Sequence, residues 1–112
     1  MKIKELLIDA YNCSGNLNNS RLLLSILIKS AKKVGAKVVN WLVHNYKPFG
    51  VSVVVLLAES HVSVYTWPEY KYAAIEIFLC NEKMNPELVW KNIKKYIRPK
   101  KYFIKKVYRS VK

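Results

Sequence analysis

Apolar and polar positions alternate along several short stretches of this chain and recur every three to four residues along two longer ones, the pattern of strands interleaved with two helices. Residues 3–11 mix apolar and charged positions at strand length, and Asn12 to Asn16 reads as a turn. Asn18 or Asn19 caps a helix over 19–34, where Leu23, Ile26, Leu27, Ala31 and Val34 share one face and Gly35 offers a left-handed stop. Strands are expected at 37–44, 51–58 and 62–66, with a Lys47-Pro48-Phe49-Gly50 turn between the first two. Trp67-Pro68-Glu69 breaks the run. In 72–80, Ile75, Ile77 and Leu79 fall on one face and Glu76, Phe78 and Cys80 on the other. Asn85-Pro86 starts a second helix with a stripe of Val89, Trp90, Ile93 and Ile97; Pro99 ends it and 101–108 returns as a strand. Short connections favour antiparallel neighbours, so this order predicts an α+β fold: a two-layer α/β sandwich with a mainly antiparallel sheet and two helices on one face.

Length changes the picture little. With 112 residues, 52% of them hydrophobic, the chain suits one core, and 1–112 is read as a single domain. No window is apolar enough to span a membrane, and Glu5 and Asp9 interrupt any signal-like start, so the cytoplasm is the expected location. Cys13 and Cys80 have no Cys or His partners at metal-ligand spacing, so no metal site is expected. Charge adds one candidate partner. The net charge is +13, and after Glu87 there is no acidic residue while Lys91 to Lys112 holds ten of the twenty basic ones. No recognised nucleic-acid motif accompanies those lysines, and a solvated basic face is the expected reading.

The segment from Leu57 to Tyr70, with Glu59-Ser60-His61 and Thr66-Trp67-Pro68-Glu69-Tyr70 inside it, resembles the self-processing segment of the short, prokaryotic-type S-adenosylmethionine decarboxylases. Pro48-Phe49-Gly50-Val51-Ser52 upstream and Tyr72-Ala73-Ala74-Ile75 leading to Cys80 downstream stand at that family's spacing, and the similarity covers roughly residues 5–100. The chemistry explains the residue types. Decarboxylating an amino acid leaves a carbanion, which needs an electron sink that no ordinary side chain provides. The resemblance implies that Ser60 attacks the Glu59 carbonyl, that the chain divides between Glu59 and Ser60, and that Ser60 becomes a pyruvoyl group.

By the same resemblance Ser52 assists processing, Cys80 returns a proton to the substrate, Tyr46 and Phe49 belong to the adenine site, and Glu69 contacts the cationic substrate. Each has a plainer reading: Cys80 as a small buried hydrophobe, Ser52 as a local hydrogen-bonding group, Tyr46 and Phe49 as cover for a sheet edge, Glu69 as a solvated turn acid. The resemblance also implies a homodimer with sites at or near its interface.

One departure matters most. Tyr65 stands where the family has the histidine that removes the serine α-proton during processing; an imidazole titrates near pH 6.5 and a phenol near 10. His61 and His44 remain as possible bases, although strand alternation turns His61 away from Ser60. Val53, Lys71 and Asn81 occupy positions where glycine is common in the family, and Val53 is expected to alter the backbone beside Ser52. Four functions compete at this point: decarboxylation of S-adenosylmethionine to the aminopropyl donor of spermidine synthesis; an unprocessed relative acting as a regulatory or ligand-binding partner; a pyruvoyl decarboxylase with a changed substrate such as arginine; and nucleic-acid binding.

Overall fold

Six strands and two helices follow the expected order in the computed structural model, which describes residues 1–111. They are β1 (Lys2–Tyr11), α1 (Ser20–Lys33), β2 (Val38–Asn45), β3 (Val51–Leu57), β4 (Ser60–Trp67), a 3-10 turn over Pro68–Tyr70, β5 (Tyr72–Leu79), α2 (Pro86–Ile97) and β6 (Lys101–Ser110). The sheet order is β2-β3-β4-β5-β1-β6, and every pairing is antiparallel. This is the two-layer arrangement that the pattern predicts.

Alternation decides which face is dry. Val51, Val53, Val55 and Leu57 of β3 and Val62 and Val64 of β4 are buried, as are Ile75, Ile77 and Leu79 of β5. They form one cluster with Leu23, Leu27 and Ala31 of α1 and Val89, Trp90, Ile93 and Ile97 of α2. Both helices therefore cover the same side of the sheet. Removing this apolar area from water is the main stabilising term, at about 25 cal/mol per Å². Asn19, rather than Asn18, caps α1 by accepting from the Leu22 N–H, and Gly35 takes the left-handed φ of 91° after it. Among the described residues, no helix is long and apolar enough to cross a membrane.

Two local features differ from expectation. β4 begins at Ser60, not Val62, because Ser60 pairs with Leu57 and leaves only Ala58 and Glu59 to reverse the chain. A two-residue hairpin link requires left-handed backbone, and Glu59 supplies it with φ 65° at a cost of roughly 1 kcal/mol. Val53 does not distort the chain beside Ser52: it lies in regular strand, fully buried, paired with Val43 and Val64. Lys71, by contrast, does take the left-handed conformation that glycine favours, with φ 51°.

Candidate active site

The β3–β4 hairpin carries most of the candidate residues, and it carries them at two ends. At its turn end the strained link places Glu59 and Ser60 beside the last residues of β5. The Cys80 N–H donates to Ser60 Oγ at 3.0 Å, and the Cys80 thiol lies against the Glu59 carbonyl oxygen. Ser60 is 8% exposed, yet it lines an open cleft of about 750 Å³ with Glu59, Cys80, Lys37, Asn81 and Met84. A hydroxyl oxygen, the carbonyl that precedes it and a thiol hydrogen-bonding that carbonyl are thus collected at one peptide bond. Cys80, just past the end of β5, is half-buried. The chain's other cysteine, Cys13, is a different kind of residue: burial leaves it 3% exposed and pushes its thiol up to about 11.

At the far end, Ser52 of β3 stands directly opposite Tyr65 of β4. Tyr46 folds back over Ser52, and the two hydroxyls bond at 2.8 Å. Local structure holds Tyr46 there: its N–H donates to the Gly50 carbonyl at 2.8 Å, and the Gly50 N–H donates to Asn18 Oδ1 at 2.8 Å. Gly50 has φ 114°, so this closure needs glycine. Thr66 fastens the same end from beneath. Its hydroxyl accepts from the Val51 N–H at 2.9 Å and donates to the Leu17 carbonyl at 2.8 Å.

Tyr46, Phe49, Ser52, Tyr65, Trp67 and Glu69 line one cavity of about 320 Å³ here. Trp67 packs on Tyr72 at 5.4 Å between ring centroids, and the Tyr72 hydroxyl donates to the Asp9 carboxylate. Burial, then that hydrogen bond, pushes the Tyr72 phenol above its ordinary range, so it stays a donor. Aromatic faces around one carboxylate suit a cation that also carries a flat ring. Sequence reasoning missed Trp67 as a lining residue and Asn18 and Thr66 as its fastenings. The Thr-Trp-Pro-Glu block held two of them in plain view.

The structure therefore groups the expected residues in two sets. Glu59, Ser60 and Cys80 come together, as do Tyr46, Phe49, Ser52, Tyr65 and Glu69, but the sets do not meet within one chain. Five residue steps along β3 lead from Leu57, the partner of Ser60, to Ser52, which is about 17 Å. The two histidines part company as well. His61 Nε2 lies 3.5 Å from Glu76 Oε1 and its ring stacks on Phe78 at 5.3 Å, whereas His44 of β2 pairs with Ser52. Among the described residues no group of three or more His, Cys, Asp or Glu side chains is placed to hold a metal ion.

The model of the S-adenosylmethionine decarboxylase family matches residues 4–110. An S-adenosylmethionine decarboxylase proenzyme of Acetivibrio thermocellus is 43% identical over 84 residues, which are 74% of this chain and 68% of that protein. One from Prochlorococcus marinus is 34% identical over 108 residues, 96% of this chain and 86% of that one. The crystal structure of the adenosylmethionine decarboxylase from Aquifex aeolicus superposes with a TM-score of 0.89 at 22% identity, covering 97% of this chain and 91% of that one. This last likeness concerns the fold.

Proposed function

This chain belongs to the S-adenosylmethionine decarboxylase family, and from that premise we propose that it cuts itself between Glu59 and Ser60, becomes a pyruvoyl enzyme and decarboxylates S-adenosylmethionine to the aminopropyl donor of spermidine synthesis. The observation that carries the reading is the arrangement at the scissile bond: Cys80 donates its N–H to Ser60 Oγ and sets its thiol on the Glu59 carbonyl oxygen.

That geometry supports an acyl shift. Ser60 Oγ attacks the Glu59 carbonyl carbon, and the negative charge that builds on the carbonyl oxygen meets the Cys80 thiol as a hydrogen-bond donor. The peptide nitrogen leaves with the hydroxyl proton, and Glu59 is then joined to Ser60 through an ester. The left-handed φ of Glu59 favours the step, since strain in the link is released as the peptide bond opens. Removal of the Ser60 α-proton expels the Glu59 carboxylate and leaves dehydroalanine; its enamine tautomerises, and water releases ammonia to leave the pyruvoyl group. The residues fit that group: Ser60 is within reach of Cys80, and the cleft beside it admits a substrate. Once formed, the pyruvoyl supplies the electron sink for decarboxylation.

The far-end cavity suits the remainder of S-adenosylmethionine. Tyr46 and Phe49 offer faces to adenine, and Glu69 offers charge to a cation that a +13 chain otherwise repels. A second copy of the chain brings that cavity to Ser60. The sheet face away from the helices supports this reading: Leu42, Leu56, Tyr65, Trp67 and Phe103 stand on it exposed, an apolar area that a like surface would cover.

The test is the intact mass of warmed, purified protein under denaturing conditions, followed by release of labelled CO2 from carboxyl-labelled S-adenosylmethionine. Fragments 1–59 and 60–112, the second with a borohydride-reducible terminus, together with CO2 release are expected. An unbroken chain would refute the proposal in favour of a regulatory or ligand-binding relative. Cleavage with release from arginine alone would refute the substrate assignment.

A further inference from the structure

Tyr65 stands where the resemblance implies a histidine, yet an imidazole stands in the same row of the sheet. His44 on β2, Ser52 on β3 and Tyr65 on β4 are paired in register, so all three side chains rise side by side on the open face. Neighbours across antiparallel strands have Cβ atoms about 5 Å apart, which puts His44 against Ser52 on the flank opposite Tyr65. Tyr46 holds the ring in place: the His44 and Tyr46 centroids are 4.5 Å apart with planes at 77°, and Tyr46 is itself bonded to Ser52. Besides Ser52 and Tyr46, the cavity at this end is lined by Phe49, Gly50, Tyr65, Thr66, Trp67 and Glu69, none of which carries a nitrogen base. His61, the chain's second histidine, is engaged by Glu76 and Phe78 in a different row.

We propose that His44 supplies the base that Tyr65 does not, taking the α-proton of the Ser60 ester while the C–O bond breaks and its electron pair leaves with the Glu59 carboxylate. This rests on the preceding reading, in which the Ser60 of one copy meets the Ser52 end of another. The imidazole gains the α-proton, the serine α- and β-carbons gain a double bond, and no oxidant or reductant takes part. Tyr65, on the other flank of Ser52, is left to shape the cavity.

Hydroxylamine separates the two halves of the reaction, because it cleaves an ester to a Glu59 hydroxamate and a free Ser60 amine without any need for the base. Wild type, His44→Ala and His44→Gln would each be warmed with and without it and weighed by mass spectrometry. The expected result is that wild type yields the pyruvoyl fragment in buffer alone. Both variants lose that product by on the order of 100-fold, yet divide as fast as wild type in hydroxylamine. Free imidazole restores elimination to His44→Ala, and so does adding Tyr65→His, which a merely structural role for His44 would not produce. Elimination at the wild-type rate in both variants would overturn the proposal, as would a wild type that divides only in hydroxylamine. Absence of fragments in every sample would instead overturn self-processing itself, and this proposal with it.

Discussion

The two ends of the β3–β4 hairpin are built to opposite specifications. At the turn end two residues reverse the chain, Glu59 carries a left-handed φ, and the scissile carbonyl opens on a wide cleft. At the far end Thr66, Asn18 and Gly50 tie the strands to the loop after β1, and the Ser52 hydroxyl is capped by Tyr46. The bond proposed to break sits where the backbone is strained; the groups proposed to receive a ligand sit where hydrogen bonds tie the strands to the loop after β1. Precision at a binding wall and strain at a cleavage site are separate requirements, and one hairpin meets both by keeping them apart.

Separation makes a strong prediction, because on the proposed reading two ends about 17 Å apart in one chain form a single site only when another copy joins them. Ser60→Ala removes the attacking oxygen and cannot divide. Ser52→Ala keeps that oxygen but loses a far-end hydroxyl and slows division by on the order of 100-fold. Coexpressed, the two form mixed dimers in which one site has both residues intact, and the Ser52→Ala chain regains cleavage while the Ser60→Ala chain stays whole. Mass spectrometry distinguishes the two chains. No recovery in mixed dimers would place both ends in the service of a single chain and break the comparison.

The rigidity of the far end is testable through Thr66, which is 5% exposed. Thr66→Val keeps the shape but removes the oxygen that accepts from Val51 and donates to Leu17. A buried N–H and a buried carbonyl then lose their partner, at a cost of about 2 kcal/mol. Urea unfolding should show a lower midpoint with an unchanged slope, and added salt should not alter the difference, because no ion takes part. A loss well under 1 kcal/mol would mean that water or backbone movement takes over these bonds and that the far end is less firmly tied than its hydrogen bonds imply.

The sequence disclosed the elements better than their meeting places. α1 was legible to within a residue or two because Asn19 and Gly35 are local signals that act through their own backbone neighbours. The start of β4 at Ser60 was not, since it depends on a ladder to Leu57 that no periodicity records. Val53 was expected to disturb Ser52 and instead fills the core, because a strand interior asks only for an extended backbone and a side chain that packs. Ser52 and Ser60 became candidates together by resemblance, and their short separation in sequence concealed that extended chain carries them to opposite ends. The row His44–Ser52–Tyr65 is likewise a fact of register: residues on three strands become neighbours only once the ladders are set.

If hydroxyls fasten the far end, charges fasten the turn end, and the smallest predicted effect distinguishes the two. Glu87, in the first turn of α2, accepts from Lys4 of β1 at 2.6 Å and lies 3.2 Å from Lys106 of β6, clamping the helix over the strand ends near the cleft. Partial burial acts to raise its carboxyl, but the hydrogen bonds from Lys4 and Lys106 outweigh this and hold it below the ordinary carboxylate range. A carboxyl depressed in the folded state binds fewer protons there than in the unfolded chain. Its stabilisation is therefore present above the unfolded value of about 4.3 and fades as pH falls through the folded value. Glu87→Gln should cost about 0.5–1 kcal/mol at pH 7, less in 1 M salt, and nothing once acid has protonated the wild-type carboxyl. Urea midpoints for the two proteins, measured at neutral and acidic pH, give the comparison. A difference that persisted in acid and in salt would assign the contribution of Glu87 to packing at the start of α2, and the contrast between charged and uncharged fastenings would fall.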